Sequence, residues 1–307
     1  MTGVQDLDGP SRYLRQMILP GIGPEGQARI RAGRVAVVGC GALGSVAVDL
    51  LARAGVGELI LIDRDLVEAT NLQRQVLYTE ADVRACRPKA VAAAEAVARI
   101  NHEVAVQVHV ADLRSANALD LLADADVIVD GLDSFETRYL LNDVAVVTGR
   151  PYVYGGAVGT GGLSVAILPA GSPRWPEEQT TACLRCLFEE PPPPGTGPTC
   201  DSAGILAPVS VTVAARQVAE ALKLLAGRLD ALDRRMLAID LWHGTHRGIA
   251  MDEARRPDCP CCGRREFHWL AGRGETESAV LCGREAVQVR PAGDAAVDLT
   301  RIAAGLE

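Results

Sequence analysis

The sequence has little that would suit a nucleic acid or a membrane. Its 31 Lys and Arg residues are outnumbered by 39 Asp and Glu, a formal charge of −8. It therefore lacks the positive field that draws proteins to phosphate backbones or anionic lipid surfaces. No secretory leader is expected, because the opening MTGVQDLDGP is acidic and has no apolar core. No membrane span is expected either. The longest uncharged stretch, between Arg150 and Arg174, is interrupted by Gly155, Gly156, Gly159, Gly161, Gly162 and Pro169. That suits two short strands around a glycine turn better than a helix across a bilayer. Glycine (31) and proline (17) in 307 residues stay below the share, about 25–30%, that marks low complexity. No internal repeat is visible. A cytoplasmic protein is the expectation, and there nine cysteines stand out. A reducing compartment does not sustain a disulfide framework, so metal binding or thiol chemistry becomes the question.

A 48% apolar fraction over 307 residues can fill either two domains or one large α/β domain with additions. The run RVAVVGCGALG reads as a buried strand over Val35 to Val38, a glycine turn, and a helix from about Ala42 to Ala54. ELILID (from Glu58), VAVQVHV (from Val104) and ADVIVDGLD (from Ala125) read as further strands. KAVAAAEAVARIN (from Lys89) and FETRYLLNDVAVVTG (from Phe135) read as helices. Strands alternating with helices predict an α/β fold, a Rossmann-like doubly wound sheet that is mostly parallel. Antiparallel hairpins are expected around Gly159 to Gly162 and around Asp240 to Arg247, with a helix from Val209 between them. The expected organisation is an N-terminal helical segment over 1–33 and a nucleotide-binding domain over 34–263. That domain carries a long, exposed, mobile proline-rich loop at 170–200. A small appendage follows over 264–307, with one strand-like piece, AVQVRP.

Gly39, Gly41 and Gly44 form G-x-G-x-x-G between a strand and a helix. Such glycines let backbone approach a phosphate, and the helix N-terminus adds partial positive charge. Asp63 follows nineteen residues after Gly44 at the next strand end, where an acid can bond a ribose hydroxyl. This pattern predicts a nucleotide without choosing NAD over ATP. The following residues bear on the choice. Arg74, in NLQRQ, and Lys89, in RPK, offer two cations beside the adenosine site. Hydride transfer has no need of them, whereas a triphosphate losing pyrophosphate does. Asp133, at the end of the fourth parallel strand, is placed to hold Mg2+ near those phosphates.

Together, RYLRQMILPGIGPEGQ, GCGALG, AGVGELILIDRD, NLQRQ, RPK, DGLDSFETR, CLRC, TCDSAGILAP and CPCC resemble the ThiF/MoeB/HesA adenylyltransferases, relatives of the ubiquitin-activating enzymes. The resemblance runs from Arg12 to about Gly263. It implies ATP-dependent adenylation of the C-terminal glycine carboxylate of a ubiquitin-like sulfur carrier protein ending in diglycine. The pathway it implies is sulfur transfer in thiamine, molybdopterin or thio-tRNA biosynthesis. It also implies that Gly39, Gly41, Gly44 and Asp63 bind adenosine, with Asp65 nearby. Asn71, Arg74 and Lys89 would contact phosphates and Asp133 would bind Mg2+. Arg15 would be supplied across a homodimer. A carboxylate nucleophile is already ionised at pH 7 and needs no base. Two positions depart from the family pattern: Ala42 stands where glycine is frequent, and Ser134 stands where asparagine is usual.

Cys183-x-x-Cys186 and Cys259-x-x-Cys262 have the spacing of two zinc half-sites. Four thiolates leave no open position, which makes the expected Zn2+ structural. Cys261 lies between two ligands and could compete. Cys200, at the end of the proline-rich loop and before a helix, could have a lowered pKa. The resemblance implies that it can form an acyl-disulfide or thioester with the activated carrier, which completes a catalytic set of Arg15, Arg74, Lys89, Asp133 and Cys200. Cys40, Cys86 and Cys282 are expected to pack, and the five histidines show no ligand spacing beside the cysteines. The rival expectations are an NAD-dependent oxidoreductase and a catalytically silent carrier-binding module.

Overall fold

Val35, Ala36, Val37 and Val38 are four apolar residues in a row, so a strand built from them has no face to give to water and needs cover on both sides. In the computed structural model, which describes residues 9–191, 200–251, 253–273, 278–281 and 286–289, it has that cover. Strand β1 (Arg34–Val38) lies between β2 (Glu58–Ile62) and β4 (Val127–Asp130) in an eight-stranded sheet. The strand order is β3-β2-β1-β4-β5-β6-β7-β8. β3 is Ala105–His109, β5 Tyr152–Val158, β6 Gly161–Ile167, β7 Met236–Asp240 and β8 Thr245–Ile249. Pairing is parallel from β3 through β5 and antiparallel from β5 through β8. This is the mixed, doubly wound sheet that the sequence predicts. β8, at the edge, is exposed along its whole length.

Alternate residues of β1 divide between two cores. Val35 and Val37 join one formed with helices α1 (Gly23–Ala32), α2 (Gly44–Ala54), α3 (Lys89–Ile100) and α5 (Ala207–Leu225). Ala36 and Val38 join the other, formed with α4 (Phe135–Thr148) and the cysteine knuckle. Two layers of helix around one sheet give each side of the strands a dry partner. Helix α2 begins at Gly44 rather than near Ala42, because residues 41–43 are spent in the turn that leaves β1. It ends at Gly55, whose φ of +76° is left-handed, a conformation glycine adopts without steric penalty. A Cβ at Gly55 would also meet the Tyr13 ring.

The N-terminal segment is fastened at this same end of α2. Gln16 and Gln27 both donate to the Ala54 carbonyl, at 3.1 and 3.0 Å. The Tyr13 hydroxyl accepts from Asn101 at 2.8 Å and donates to Glu103 at 3.0 Å.

Residues 170–191 are exposed at Pro173, Arg174 and Pro176 to Glu178, among others, but are anchored between these positions. Trp175 is buried and donates to the Pro169 carbonyl at 3.1 Å, and Ser172 donates to the Gly149 carbonyl at 2.8 Å. Ala182 to Arg185 are buried too, held by the cysteine site they carry. The rest of the proline-rich loop, 192–199, lies outside the described residues. Of the expected appendage, 264–273 are described, together with an antiparallel pair of strands, β9 (Ser278–Leu281) and β10 (Ala286–Val289). Cys282 lies outside the described residues. Among the described residues no helix is long and apolar enough to cross a membrane.

Candidate nucleotide and metal sites

The parallel register sets Val38 beside Asp130, so β1 and β4 end together, and the chain must leave both at one place. Glycine makes that possible. Gly39 has φ +84°, and a Cβ on it would stand 2.7 Å from the Gly131 carbonyl oxygen. A Cβ on Gly44 or on Gly131 would collide with the Gly39 carbonyl oxygen. These three glycines interlock for reasons internal to the protein. Gly41 is different, because a Cβ there would find nothing closer than the Gly131 oxygen at 3.8 Å and Gln75 Nε2 at 3.9 Å. The fold does not demand glycine at this position. A loop that must let a phosphate reach its backbone does.

Asp63, just past β2, is nearly buried, at 9% exposed. Its carboxylate accepts from the backbone N–H of Cys40 at 2.7 Å and of Asp65 at 2.7 Å. Burial raises its pKa, opposed first by the charge of Lys89. Lys89 is the first residue of α3 and is 8% exposed. Its Nζ donates to Asp65 Oδ2 at 3.1 Å. Burial favours the neutral amine, but Asp63 and Asp65 more than offset it and raise the lysine pKa, so Lys89 is a permanent cation at neutral pH. The charge of Asp133 acts on it as well. The Tyr78 hydroxyl, buried, donates to the Cys40 carbonyl at 2.7 Å and lies 3.3 Å from the Lys89 carbonyl. It thereby joins the glycine turn, the segment after Asn71 and the start of α3.

Gly39, Gly41, Gly44, Asp63, Asp65, Lys89 and Asp133 thus meet at the C-terminal ends of the strands, where doubly wound sheets bind ligands. Asp133 itself is exposed, three residues beyond β4. Arg74 is half-exposed and donates to the Thr70 carbonyl at 2.8 Å. The Asn71 side chain is engaged locally, accepting from the Glu68 N–H at 3.2 Å. Arg15 does not join this group. It is exposed, and its neighbour Gln16 is tied to Ala54, the last residue of α2, whose first turn carries the glycine loop. At 1.5 Å per residue the eleven residues of α2 separate the two ends by about 15 Å. Cys200 begins a four-residue helix, Cys200–Ala203, and its side chain lies outside the described residues. Gln75, Tyr78, Asp130 and Arg138 lie inside or beside quoted motifs, yet the sequence reading gave them no role. The one signal for Asp130 was an acid closing the apolar run VIVD.

The cysteines converge as the spacing predicts. The Sγ atoms of Cys183, Cys186, Cys259 and Cys262 lie within 4.8 Å of one another. Three of the separations are 3.9 Å (Cys183 to Cys186), 3.6 Å (Cys183 to Cys259) and 3.4 Å (Cys186 to Cys262). A tetrahedral ion with sulfur at 2.3 Å needs edges of about 3.8 Å, so the donor set fits such an ion. Cys261 is outside this set and is buried, accepting from Asn142 Nδ2 at 3.2 Å. Asn142 Oδ1 accepts from the Leu184 N–H at 2.8 Å, so one residue of α4 braces both half-sites. Cys40 is buried, as expected. Cys86 is exposed, contrary to the expected packing role, because it follows the short helix Glu80–Arg84, none of whose residues is buried.

Fold and site define a nucleotide-binding, doubly wound α/β protein with a four-thiol knuckle. The sequence profile of the ThiF family matches residues 13–261, and the chain belongs to that family. It is 41% identical over 301 residues to the sulfur carrier protein ThiS adenylyltransferase of Bacillus subtilis (strain 168), covering 96% of this chain and 86% of that protein. It is 42% identical over 252 residues to the sulfur carrier protein adenylyltransferase of Thermus thermophilus, covering 82% and 90%. The crystal structure of Escherichia coli MccB with ATP superposes with a TM-score of 0.66 and 25% identity, covering 83% of this chain and 75% of that one.

Proposed function

We propose that this protein is an ATP-dependent adenylyltransferase. It activates the C-terminal glycine carboxylate of a ubiquitin-like sulfur carrier ending in diglycine, within a sulfur-transfer route such as thiamine, molybdopterin or thio-tRNA biosynthesis. The observation that carries this reading is Lys89, a buried ammonium kept charged by two carboxylates beside a glycine loop whose second glycine leaves room for phosphate. The carrier carboxylate attacks the α-phosphorus, the bond to the bridging oxygen breaks, and pyrophosphate leaves. Two anions must approach each other, so the site's work is neutralisation and orientation. The glycine turn and Asp63 hold the nucleoside, and Asn71, Arg74 and Lys89 hold the phosphates. Asp133 and its exposed carboxylate would hold Mg2+, which supplies charge neutralisation on the leaving phosphates.

The active unit we propose is a homodimer. Arg15 sits a helix length from its own glycine loop, and across a two-fold axis it would serve the partner's site. Zn2+ in the four-thiol knuckle is structural, since four thiolates complete a tetrahedral shell. The Cys200 thiolate attacks the adenylated carboxyl carbon of the carrier and AMP leaves, so the carrier is held as a thioester. The cytoplasm is the proposed location.

The test is carrier-dependent ATP–pyrophosphate exchange with Mg2+ and a panel of diglycine-ended carriers. Exchange with one carrier supports the reading, and no exchange with any sinks it. NADH oxidation would instead favour the oxidoreductase, and carrier binding without exchange the silent module. Cys200→Ala should keep exchange and lose the gel-stable adduct.

A further inference from the structure

The carboxylate of Asp130 is fully buried and takes no part in the function proposed above. It faces the guanidinium of Arg138, itself 5% exposed, with Arg138 Nε 3.3 Å from Asp130 Oδ2. Taking an acid and a base out of water is costly unless their remaining hydrogen-bonding capacity is used, and here both oxygens of the acid and Nη2 of the base use theirs, while Arg138 Nε meets Asp130 as an ion pair without a hydrogen bond. Tyr152 donates its hydroxyl to Asp130 Oδ2 at 2.6 Å, and the Leu132 N–H donates to Asp130 Oδ1 at 2.9 Å. Arg138 Nη2 donates to the Leu132 carbonyl at 2.5 Å and to the Gly155 carbonyl at 2.9 Å. The rings of Phe135 and Tyr154 lie 5.5 and 5.3 Å from the guanidinium carbon. Burial works against the charge of Arg138, yet Asp130 holds its pKa above the usual arginine value.

The pattern of partners is informative. The acid takes the N–H of Leu132 and the base takes its C=O, so one buried ion pair grips both polar groups of the residue immediately before Asp133. Leu132 lies in the loop between β4 and α4, where no ladder or helix supplies its bonds. Gly131, on its other side, is fixed by its N–H to the Val38 carbonyl at 2.8 Å and by the glycine interlock. The loop is therefore rigid up to the exposed carboxylate of Asp133, whose own side chain is left for a ligand.

We propose that Asp130 and Arg138 are positioning residues for the divalent cation, a buried clamp on Leu132 that fixes where Asp133 presents its carboxylate. This rests on the reading of Asp133 above. Partners that orient a metal ligand are worth about 10–100-fold in metal affinity. A lysine cannot reproduce the clamp, because a single ammonium lacks the planar fork that spans two carbonyls and a carboxylate.

The test uses the full chain, with Mn2+ as the probe and its electron paramagnetic resonance signal as the readout, titrated in the presence of ATP. ATP affinity in chelator is measured in parallel. Arg138→Lys should bind ATP in chelator nearly as wild type does and lose about tenfold or more in Mn2+ affinity. High Mg2+ should recover part of its exchange rate. Asp133→Ala, the control, should lose the ATP-dependent Mn2+ signal. If Arg138→Lys fails to fold by circular dichroism, Tyr152→Phe, which removes one donor to Asp130, decides by the same titration. Unchanged Mn2+ affinity in the folded variant overturns the clamp. Wild-type protein with no ATP-dependent Mn2+ binding overturns the reading of the site itself, a different outcome.

Discussion

Lys89 meets Asp65 twice. Its backbone N–H donates to the Asp65 carbonyl at 2.8 Å, and its ammonium donates to the Asp65 carboxylate at 3.1 Å. The first contact belongs to the fold and survives any substitution but proline. The second belongs to the side chain, and with it goes the cation that offsets the negative charge of Asp63 and Asp65. Lys89→Ala should keep its secondary structure and its assembly state while exchange falls by about 100-fold or more. Exchange within a few-fold of wild type would remove Lys89 from the phosphate site.

The glycines should separate by phenotype. Gly44→Ala forces a methyl against the Gly39 carbonyl, so the turn must shift, at a cost of about 1–3 kcal/mol and several degrees of Tm. Gly41→Ala has room in the protein and should melt with wild type. Its ATP affinity, read by titration, should fall. Equal ATP binding would mean that no ligand approaches at Gly41.

Metal analysis should find one Zn2+ per chain. Removing it with a chelator should lower Tm, and adding Zn2+ back should restore it. Because Asn142 braces Leu184 and Cys261, Asn142→Ala should release Zn2+ to a chelator faster than wild type. Apo protein of equal Tm would deny the knuckle a structural role.

Arg15→Ala and Lys89→Ala should each abolish exchange alone. If Arg15 serves the partner's site, mixing the two variants by refolding creates dimers with one intact site and restores roughly a quarter of the activity. No recovery, in a mixture shown to contain heterodimers, would place Arg15 in its own subunit's chemistry or outside it.

Asp233 lets a pH effect be signed. Its hydrogen bonds from Arg235 and the charge of Arg216 hold its pKa down at about 2. A carboxyl whose folded pKa lies below its unfolded value adds stability above the unfolded pKa and loses it as pH falls toward the folded one. Asp233→Asn should therefore lower urea stability at pH 7, by no more than about 1 kcal/mol for a partly exposed pair. The gap should narrow steadily as pH falls from about 4 toward 2. A gap that stays constant with pH would show that the charge is not what matters.

How much of this was legible beforehand depends on the range of each constraint. The glycine turn, Asp63 and the Cys-x-x-Cys pairs announce themselves because their chemistry is set by neighbours a few positions away. The parallel sheet is legible for a similar reason, since β1, β2 and β4 carry apolar runs and β3 alternates, with helices between them. Gly131 needs β4 beside β1 before its missing Cβ means anything. Arg138 reads as one more surface cation of a helix until β5 brings the Gly155 carbonyl to it. The separation of Arg15 from its own glycine loop appears only once the N-terminal segment is seen fastened to Ala54. The packing of Trp175 was hidden by the prolines around it, which exclude helix and strand but do not exclude burial.

The knuckle joins sulfurs that are 76 residues apart along the chain, Cys183 to Cys259 and Cys186 to Cys262. The intervening chain contains all of α5 and the β7–β8 hairpin. A disulfide across that span would persist in the unfolded chain. An ion departs on unfolding, so its contribution follows mass action and changes by about 1.4 kcal/mol for each tenfold change in free metal. The protein's lifetime would then track metal supply even though a metal in the knuckle would not touch the reaction, and scarcity would show first as fewer molecules rather than slower ones.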